Sequence, residues 1–127
     1  MTVQSKIVFT VEEANRTLPL VRSIVGDVAE RWSDLVKVRE EYGNSSPEHD
    51  RILRELADYI QELKVIGCHL KDFEQGLVEF PAMIDGEDVS LSWKLGEEDV
   101  RHMIRGDGES ARRIPLPGID PEGPSAN

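Results

Sequence analysis

The sequence predicts an α+β fold: a long antiparallel two-helix hairpin, coiled-coil-like in its packing, followed by a small antiparallel β-sheet and a short C-terminal helix. Three observations support this prediction. Apolar residues recur at alternating spacings of three and four over residues 11–35, which is the period of a helical seam. A Gly-Asn-Ser-Ser run at 43–46 separates this stretch from a second amphipathic one. An Asp-Gly pair at 85–86 lies between two apolar runs, as in a β-hairpin.

The apolar ladder predicts one helix from about Val11 to about Tyr42. Thr10 precedes it as an N-cap, and Glu13, three residues later, completes a capping box. Pro19 removes one backbone hydrogen bond within the helix and predicts a kink. At ~1.5 Å per residue the helix is roughly 48 Å long and needs a partner along its length. The predicted seam consists of Val11, Ala14, Leu18, Val21, Val25, Val28, Trp32 and Leu35.

A second helix is predicted to begin after Ser46, an N-cap followed by Pro47, and to end at Gly67. The short connection makes the two helices antiparallel. The second helix is roughly 30 Å long, so it covers only the distal part of the first, and residues 11–21 need another cover. Its apolar stripe consists of Ile52, Leu53, Leu56, Tyr59, Ile60, Leu63 and Ile66.

A small sheet in the second half of the chain is expected to supply that cover. A turn at 85–86 pairs three sets of apolar residues on one face, which makes the register consistent with the pattern. Pro81 falls on the opposite face and, lacking a backbone N–H, predicts an edge position or a bulge. Residues 68–70 are expected to add a third strand. The predicted pairs are Ala82 with Val89, Phe80 with Leu91, and Val78 with Trp93.

The chain is expected to form a single domain over residues 1–112. It would comprise a helical hairpin at 10–67, a β-hairpin region at 68–96 and a short helix at 97–105 with acidic residues in its first turn. Residues 113–127 are rich in proline and glycine, which predicts an extended or disordered tail.

Composition limits the classes of partner and compartment. Cys68 is the single cysteine, and neither a spanning apolar run nor a signal-like N-terminus is found, so we expect a cytoplasmic protein. The net charge is −10; residues 1–71 carry ten basic and twelve acidic side chains, and residues 72–127 carry five and thirteen. This acidity disfavours nucleic acids and anionic membranes as partners.

A sparse second apolar row on the first helix predicts self-association. Leu20, Ile24 and Val38 form this row, which we expect on the side away from the second helix. A hairpin with apolar residues on two faces tends to associate, so we expect a homodimer through the helices. A different protein partner remains open.

The candidate chemistry is confined to one acidic segment. Glu98 and His102 are four residues apart and would share a helix face, a spacing used by metal ligands. Asp72, Glu97, Asp99 and Asp107 are candidates to converge nearby, although such Glu–His pairs are more often solvated surface contacts. The candidate metal ligands are therefore Asp72, Glu97, Glu98 and His102. We predict no catalytic residue, no cofactor-binding residue and no cofactor, and we expect His49 at the surface.

Six segments carry a resemblance by their order and spacing: Phe9–Asn15, Leu18–Arg22, Lys71-Asp72, Gly76–Pro81, Asp85-Gly86 and Trp93–Glu97. Together they resemble the bacterial Domain of Unknown Function 2203 family, over roughly residues 7–116. This resemblance implies a small cytoplasmic protein with no established activity. Ser92 stands where a Cys is common in the family, and Met103-Ile104 stand where a Trp-His pair is common, which lowers the expectation of a metal site.

Two classes of function fit these observations. The favoured one is a non-catalytic protein-interaction module, acting through the helical hairpin or through the acidic C-terminal half. The alternative is a metal- or small-molecule-binding protein, an enzyme included, that uses the acidic cluster near Glu97 and His102. Convergence of the candidate ligands in one cleft would favour the second class, and their scatter over the surface would favour the first.

Overall fold

The computed structural model describes residues 8–106, 109 and 111–118 and shows an α+β protein with two helices and five strands. The strands form one antiparallel sheet in the sequential order β1-β2-β3-β4-β5. None of the helices in the described residues has an apolar stretch long enough to cross a membrane. The elements are α1 (Val11–Tyr42), α2 (Pro47–Ile66), β1 (His69–Asp72), β2 (Leu77–Ile84), β3 (Glu87–Lys94), β4 (His102–Arg105) and β5 (Arg112–Pro115).

The helix boundaries lie where the capping residues predict them. The Thr10 hydroxyl accepts a hydrogen bond from the Glu13 amide at 3.0 Å, and the Glu13 carboxylate accepts one from the Thr10 amide at 2.9 Å. Ser46 caps α2 by accepting from the His49 amide at 3.1 Å. Gly67 ends α2 in the left-handed conformation, with φ at 112°. The capping box and both ends of α2 are therefore confirmed.

Contacts between the helices show that they are antiparallel. Arg39, near the end of α1, donates to Nε2 of His49, near the start of α2, at 3.3 Å. Arg31, which lies earlier in α1, is 3.6 Å from the carboxylate of Glu55, which lies later in α2. His49 is only 4% exposed, so the expectation that it lies at the surface is wrong. It is buried because the first turn of α2 places it against Arg39 of α1.

The buried seam of the hairpin follows the predicted spacing with local exceptions. In α1, six predicted seam residues are buried, whereas Val11 and Trp32 are only partly buried. In α2, Ile52, Leu56 and Leu63 are buried, but Leu53 is 43% exposed and lies outside the seam. The buried α1 residues of the predicted ladder are Ala14, Leu18, Val21, Val25, Val28 and Leu35.

The predicted β-hairpin register is confirmed. Ala82 pairs with Val89, Phe80 with Leu91, and Val78 with Trp93 across β2 and β3. Asp85 and Gly86 both have positive φ, at 52° and 80°, as a two-residue turn of type I′ requires.

Pro81 lies at an edge of β2, as its missing amide predicts. β1 pairs with β2 only from Leu77 to Glu79, and beyond that point the edge of β2 is met by an isolated bridge from Phe9 to Ala82. There the Pro81 carbonyl accepts a hydrogen bond from the Phe9 amide at 2.7 Å. In a strand the N–H and C=O of one residue point to the same side, so an amide at this position would also face this edge.

Residues 97–105 do not form the predicted helix. The segment turns after β3, and His102–Arg105 becomes β4, with His102 opposite Ser92 and Met103 opposite Leu91. A helix of about nine residues is marginal by itself, whereas pairing with β3 satisfies the backbone and buries Met103. The acidic residues and the final glycine that suggested a helix here also occur in turns.

The folded part of the chain continues past residue 112. Arg112–Pro115 forms β5 against β4, and Leu116 is only 3% exposed, so residues 113–116 are not a free tail. Proline at 115 is tolerated because it ends an edge strand. The rest of the predicted tail, at 119–127, lies outside the described residues.

The junction between sheet and helix lies at the start of α1, as predicted. Trp93 is fully buried, and its indole N–H donates to the Glu97 carbonyl at 3.0 Å. Arg22 of α1 lies 5.7 Å from the centre of the Trp93 ring and donates to the Glu98 carbonyl at 2.7 Å. Asn15 accepts from the Val100 amide at 2.7 Å.

We expect the substitution Trp93→Ala to lower the free energy of unfolding by ~3–5 kcal/mol, because it removes a large fully buried side chain between sheet and helix. Urea denaturation followed by circular dichroism measures this change. Met83→Ala is the matched control: Met83 is 55% exposed, and its loss should change stability by about 0.5 kcal/mol or less. A wild-type midpoint for Trp93→Ala would show that Trp93 does not hold the sheet on α1.

Candidate functional site

The face of the sheet that points away from the core carries a row of mostly polar residues. Residues paired across antiparallel strands share a face, and neighbours along a strand alternate between faces. The buried pairs of β2 and β3 face the helices, so the residues between them face outward. One outward row crosses all five strands and consists of His69, Glu79, Ser92, His102 and Pro115.

Four residues of this outer face form what we name the polar cluster: Ser92, Glu97, His102 and Arg113. Arg113 reaches across β4 and donates from Nε to the hydroxyl of the fully buried Ser92 at 2.8 Å. Its Nη2 donates to Oε1 of Glu97 at 2.5 Å, and the Lys94 amide donates to the same oxygen at 2.8 Å. Nδ1 of His102 lies 3.7 Å from the other carboxylate oxygen.

Burial and neighbouring charges shift the pKa values of two members of the polar cluster, Glu97 and His102. Burial by itself raises the pKa of Glu97, but the hydrogen bonds from Arg113 and Lys94 and the charge of Arg113 outweigh it and lower that pKa. Burial and the charge of Arg113 lower the pKa of His102, against the opposing effect of Glu97. At neutral pH the cluster therefore holds an ionised Glu97, a charged Arg113 and a neutral His102.

The structure brings together only two of the four predicted metal ligands, Glu97 and His102. The Glu98 side chain is 77% exposed beside Arg101. Asp72 accepts from the Gln75 amide at 2.8 Å and serves the turn after β1. Glu98 and His102 share no helix face, because their segment contains β4.

The two further acidic candidates do not complete a metal site. Asp99 pairs with Arg101, and Asp107 lies outside the described residues. Among the residues that the structure describes, no three His, Cys, Asp or Glu side chains are grouped so as to hold a metal ion.

Arg113 is the member of the cluster that the sequence analysis missed. Its position follows from β5, a strand within the segment that its proline content assigned to the tail. Because its guanidinium already neutralises the Glu97 carboxylate, little negative charge is left there for a cation. Nδ1 of His102 is buried without a hydrogen-bond partner among the described residues, so His102 is the group in the cluster with unused binding capacity.

A depression of about 650 Å³ adjoins the polar cluster on the outer face. Lys71 and Arg105 line it together with Glu79, Glu87 and Pro81. The lining thus mixes both signs of charge, which favours neither an anionic nor a cationic ligand.

The second surface feature is a groove between the helices, which we name the hairpin groove. Leu20 and Ile24 of α1 and Val65 and Ile66 of α2 line a depression of about 300 Å³. A second depression, of about 390 Å³, also contains Ile66 and extends the groove toward Val8. Leu20 is 55% and Val65 73% exposed, so the centre of the groove presents apolar side chains to solvent.

The location of this groove corrects the sequence-based placement of the second apolar row. Leu20 and Ile24 border α2 rather than facing away from it, and Ile24 is only 5% exposed. The row is continued by Arg31, which pairs with Glu55 of α2. The apolar stripe of α1 is therefore wider than the single predicted seam, and α2 packs against one side of that stripe.

Comparison with profiles of protein families matches residues 7–116 to a family described as an uncharacterized conserved protein, DUF2203. The chain belongs to the DUF2203 family. The match spans every described element of this DUF2203 chain from α1 to β5 and includes both the polar cluster and the hairpin groove. No curated protein and no solved structure matches the chain.

Acidification should destabilise this DUF2203 protein in part through His102. Its pKa is lowered in the fold, so the unfolded chain takes up the proton at a higher pH than the folded chain. The stability contributed by the neutral imidazole is present above about pH 6.5 and is lost as the pH falls from there through the folded pKa.

Urea midpoints at about pH 7.5 and 5.5 test this prediction. We expect the midpoint to fall less in His102→Gln than in the wild type. His69→Gln is the matched control, because it makes the same substitution at an exposed position on β1. Identical pH dependence in His102→Gln and the wild type would contradict the prediction.

Proposed function

We propose that this protein is a non-catalytic protein-interaction module that acts through the hairpin groove. The observation that carries the proposal is the exposure of Leu20 and Val65 at the centre of the groove, beside Ile24, which is buried, and Ile66, which is partly buried. Contiguous apolar surface on a folded domain marks interaction sites. A groove between two antiparallel helices fits the side chains of a third helix.

The internal pairing of the polar cluster favours an interaction module over the alternative. Arg113, Glu97 and Ser92 satisfy one another, which is the arrangement of a structural tie between β3 and β5. A metal- or small-molecule-binding function, an enzyme included, is supported by Nδ1 of His102, which is buried without a hydrogen-bond partner among the described residues. This alternative is weakened because the guanidinium of Arg113 already pairs with the carboxylate of Glu97.

The proposal extends to packing and to location. The three-and-four spacing of the buried α1 residues supports coiled-coil-like packing of the hairpin.

Burial raises the pKa of the Cys68 thiol to about 12, so this side chain is protonated and inert. A chain without a disulfide among its described residues suits the cytoplasm, which we propose as its location.

Site-specific photo-crosslinking in the native cell tests the proposed function. A benzophenone side chain at position 65 should yield discrete crosslinked species, because it lies in the groove. The matched control is position 53, also apolar and exposed on α2 but turned by about 120° around the helix axis. Leu20→Glu should abolish the crosslinks from position 65. Equal, non-specific labelling from both positions would contradict the proposed function.

Zinc or nickel addition tests the alternative function. A ligand that binds only the native state raises the melting temperature. We expect no change with either metal, because Arg113 already occupies the carboxylate of Glu97. A rise in melting temperature that disappears in His102→Ala would instead support the metal-binding alternative.

A further inference from the structure

We propose that the occupant of the hairpin groove is a second copy of this chain, related to the first by a two-fold axis through Leu20 and Val65. This inference rests on the proposed function and names the partner of the same groove. It follows from how the charges and the apolar residues are ordered along the groove.

One end of the groove carries a cation. Arg16 lines it beside Val8, Thr17 and Ile66. Glu13 also lines this end; its carboxylate keeps its negative charge but is held at the helix start by the Thr10 amide in the capping box. Arg16 is exposed and forms no ion pair with any residue that the structure describes.

The opposite end of the groove is negative. Glu62 lines it beside Ile24, and it too is exposed with no ion pair inside the described part of the chain. Burial and the negative charges of Asp27, Glu55 and Glu62 raise the pKa of Tyr59 against the opposing charge of Arg31, so carboxylates outnumber the one cation acting on this end. Among the described residues, the groove therefore carries an Arg16 without an ion pair at one end and a Glu62 without one at the other, with apolar side chains between them.

This order is complementary to itself under a two-fold rotation. A two-fold axis through the apolar centre reverses one copy relative to the other, so Arg16 of each copy meets Glu62 of the other. Leu20 and Val65 then pack against the same residues of the second copy and leave solvent. In this arrangement two pairs, each of one positive and one negative side chain, flank the apolar centre. If the two copies ran in the same direction, like charges would meet, which disfavours that arrangement.

The distribution of net charge along the chain agrees with an interface on the helices. Residues 1–71, which contain both helices, carry ten basic and twelve acidic side chains, whereas residues 72–127 carry five and thirteen. Two copies that meet through the hairpins keep their more acidic halves apart. A foreign helix would need an acidic residue opposite Arg16 and a basic one opposite Glu62, which the second copy already supplies.

Charge reversal with purified full-length protein tests the dimer. Sedimentation velocity at about 50 µM protein and low salt should show a wild-type dimer. Arg16→Glu and Glu62→Arg should each weaken it at least about tenfold, because each sets like charges against one another twice. An equimolar mixture of the two variants should restore dimerisation, because each of its charge pairs is again opposite.

Two controls separate an interface effect from other causes. Lys37→Glu changes the net charge as Arg16→Glu does, at an exposed α1 position outside the groove, and should leave the dimer intact. All variants should keep the wild-type circular dichroism spectrum, since every substituted side chain is exposed.

A monomeric wild type, charge variants that dimerise normally, or a mixture that stays monomeric would each overturn the inference. The crosslinks from position 65 distinguish this failure from failure of the proposed function. Crosslinked species at a mass other than twice that of the chain would reject the second copy and keep the interaction module. The absence of any specific crosslink would reject both.

Discussion

The two helices of the hairpin differ in length, and the rest of the structure depends on that difference. α1 has 32 residues and α2 has 20, so α2 ends at Ile66, beside Thr17 and Leu20, and leaves the N-terminal end of α1 without a helical partner. The sheet covers that stretch. Trp93 inserts from β3, and the segment after β3 hydrogen-bonds to Asn15 and Arg22. Close approach is also required at Gly76, where an added Cβ would lie 2.8 Å from Val25, and where φ is +67°. The position of the sheet, and with it the outer face, follows from the unmatched length of α1.

Features set by short-range chemistry were predictable from the sequence, and features set by distant pairing were not. The capping box at Thr10 and Glu13 is complete within four residues, and the turn at Asp85-Gly86 fixes a whole register through the period-two pattern. β4 and β5 have four residues each, too few for a period to be distinguished from that of a helix. Their conformation comes from the β3 edge, which offers hydrogen bonds and a place to bury Met103.

The candidate sites divide in the same way. Glu97 and His102 do approach each other, but through a turn and a strand rather than through the helical spacing that suggested Glu98. Arg113 determines the charge available in their cluster because it pairs with Glu97. Its position depends on β5, a strand that was not predicted because its segment is rich in proline. The groove shows the complementary case: Leu20 and Ile24 were identifiable as a second apolar row, but which side α2 occupies depends on how the two helices pack. Residue chemistry was readable from the sequence, whereas proximity was not.

The order of the strands has a consequence for how the chain reaches this structure. Every strand pairs with its neighbour in sequence, and the helices are joined by a short turn, so most of the contacts between elements close small loops. Chains rich in such local contacts have low contact order and fold quickly. The hairpin and the five-stranded meander can each form while the other is still open. Among the hydrogen bonds of the described residues, those from Asn15 to Val100 and from Arg22 to Glu98 close the longest loops and carry the largest entropic cost. Docking of the two halves, rather than formation of either, is therefore the expected late step in folding.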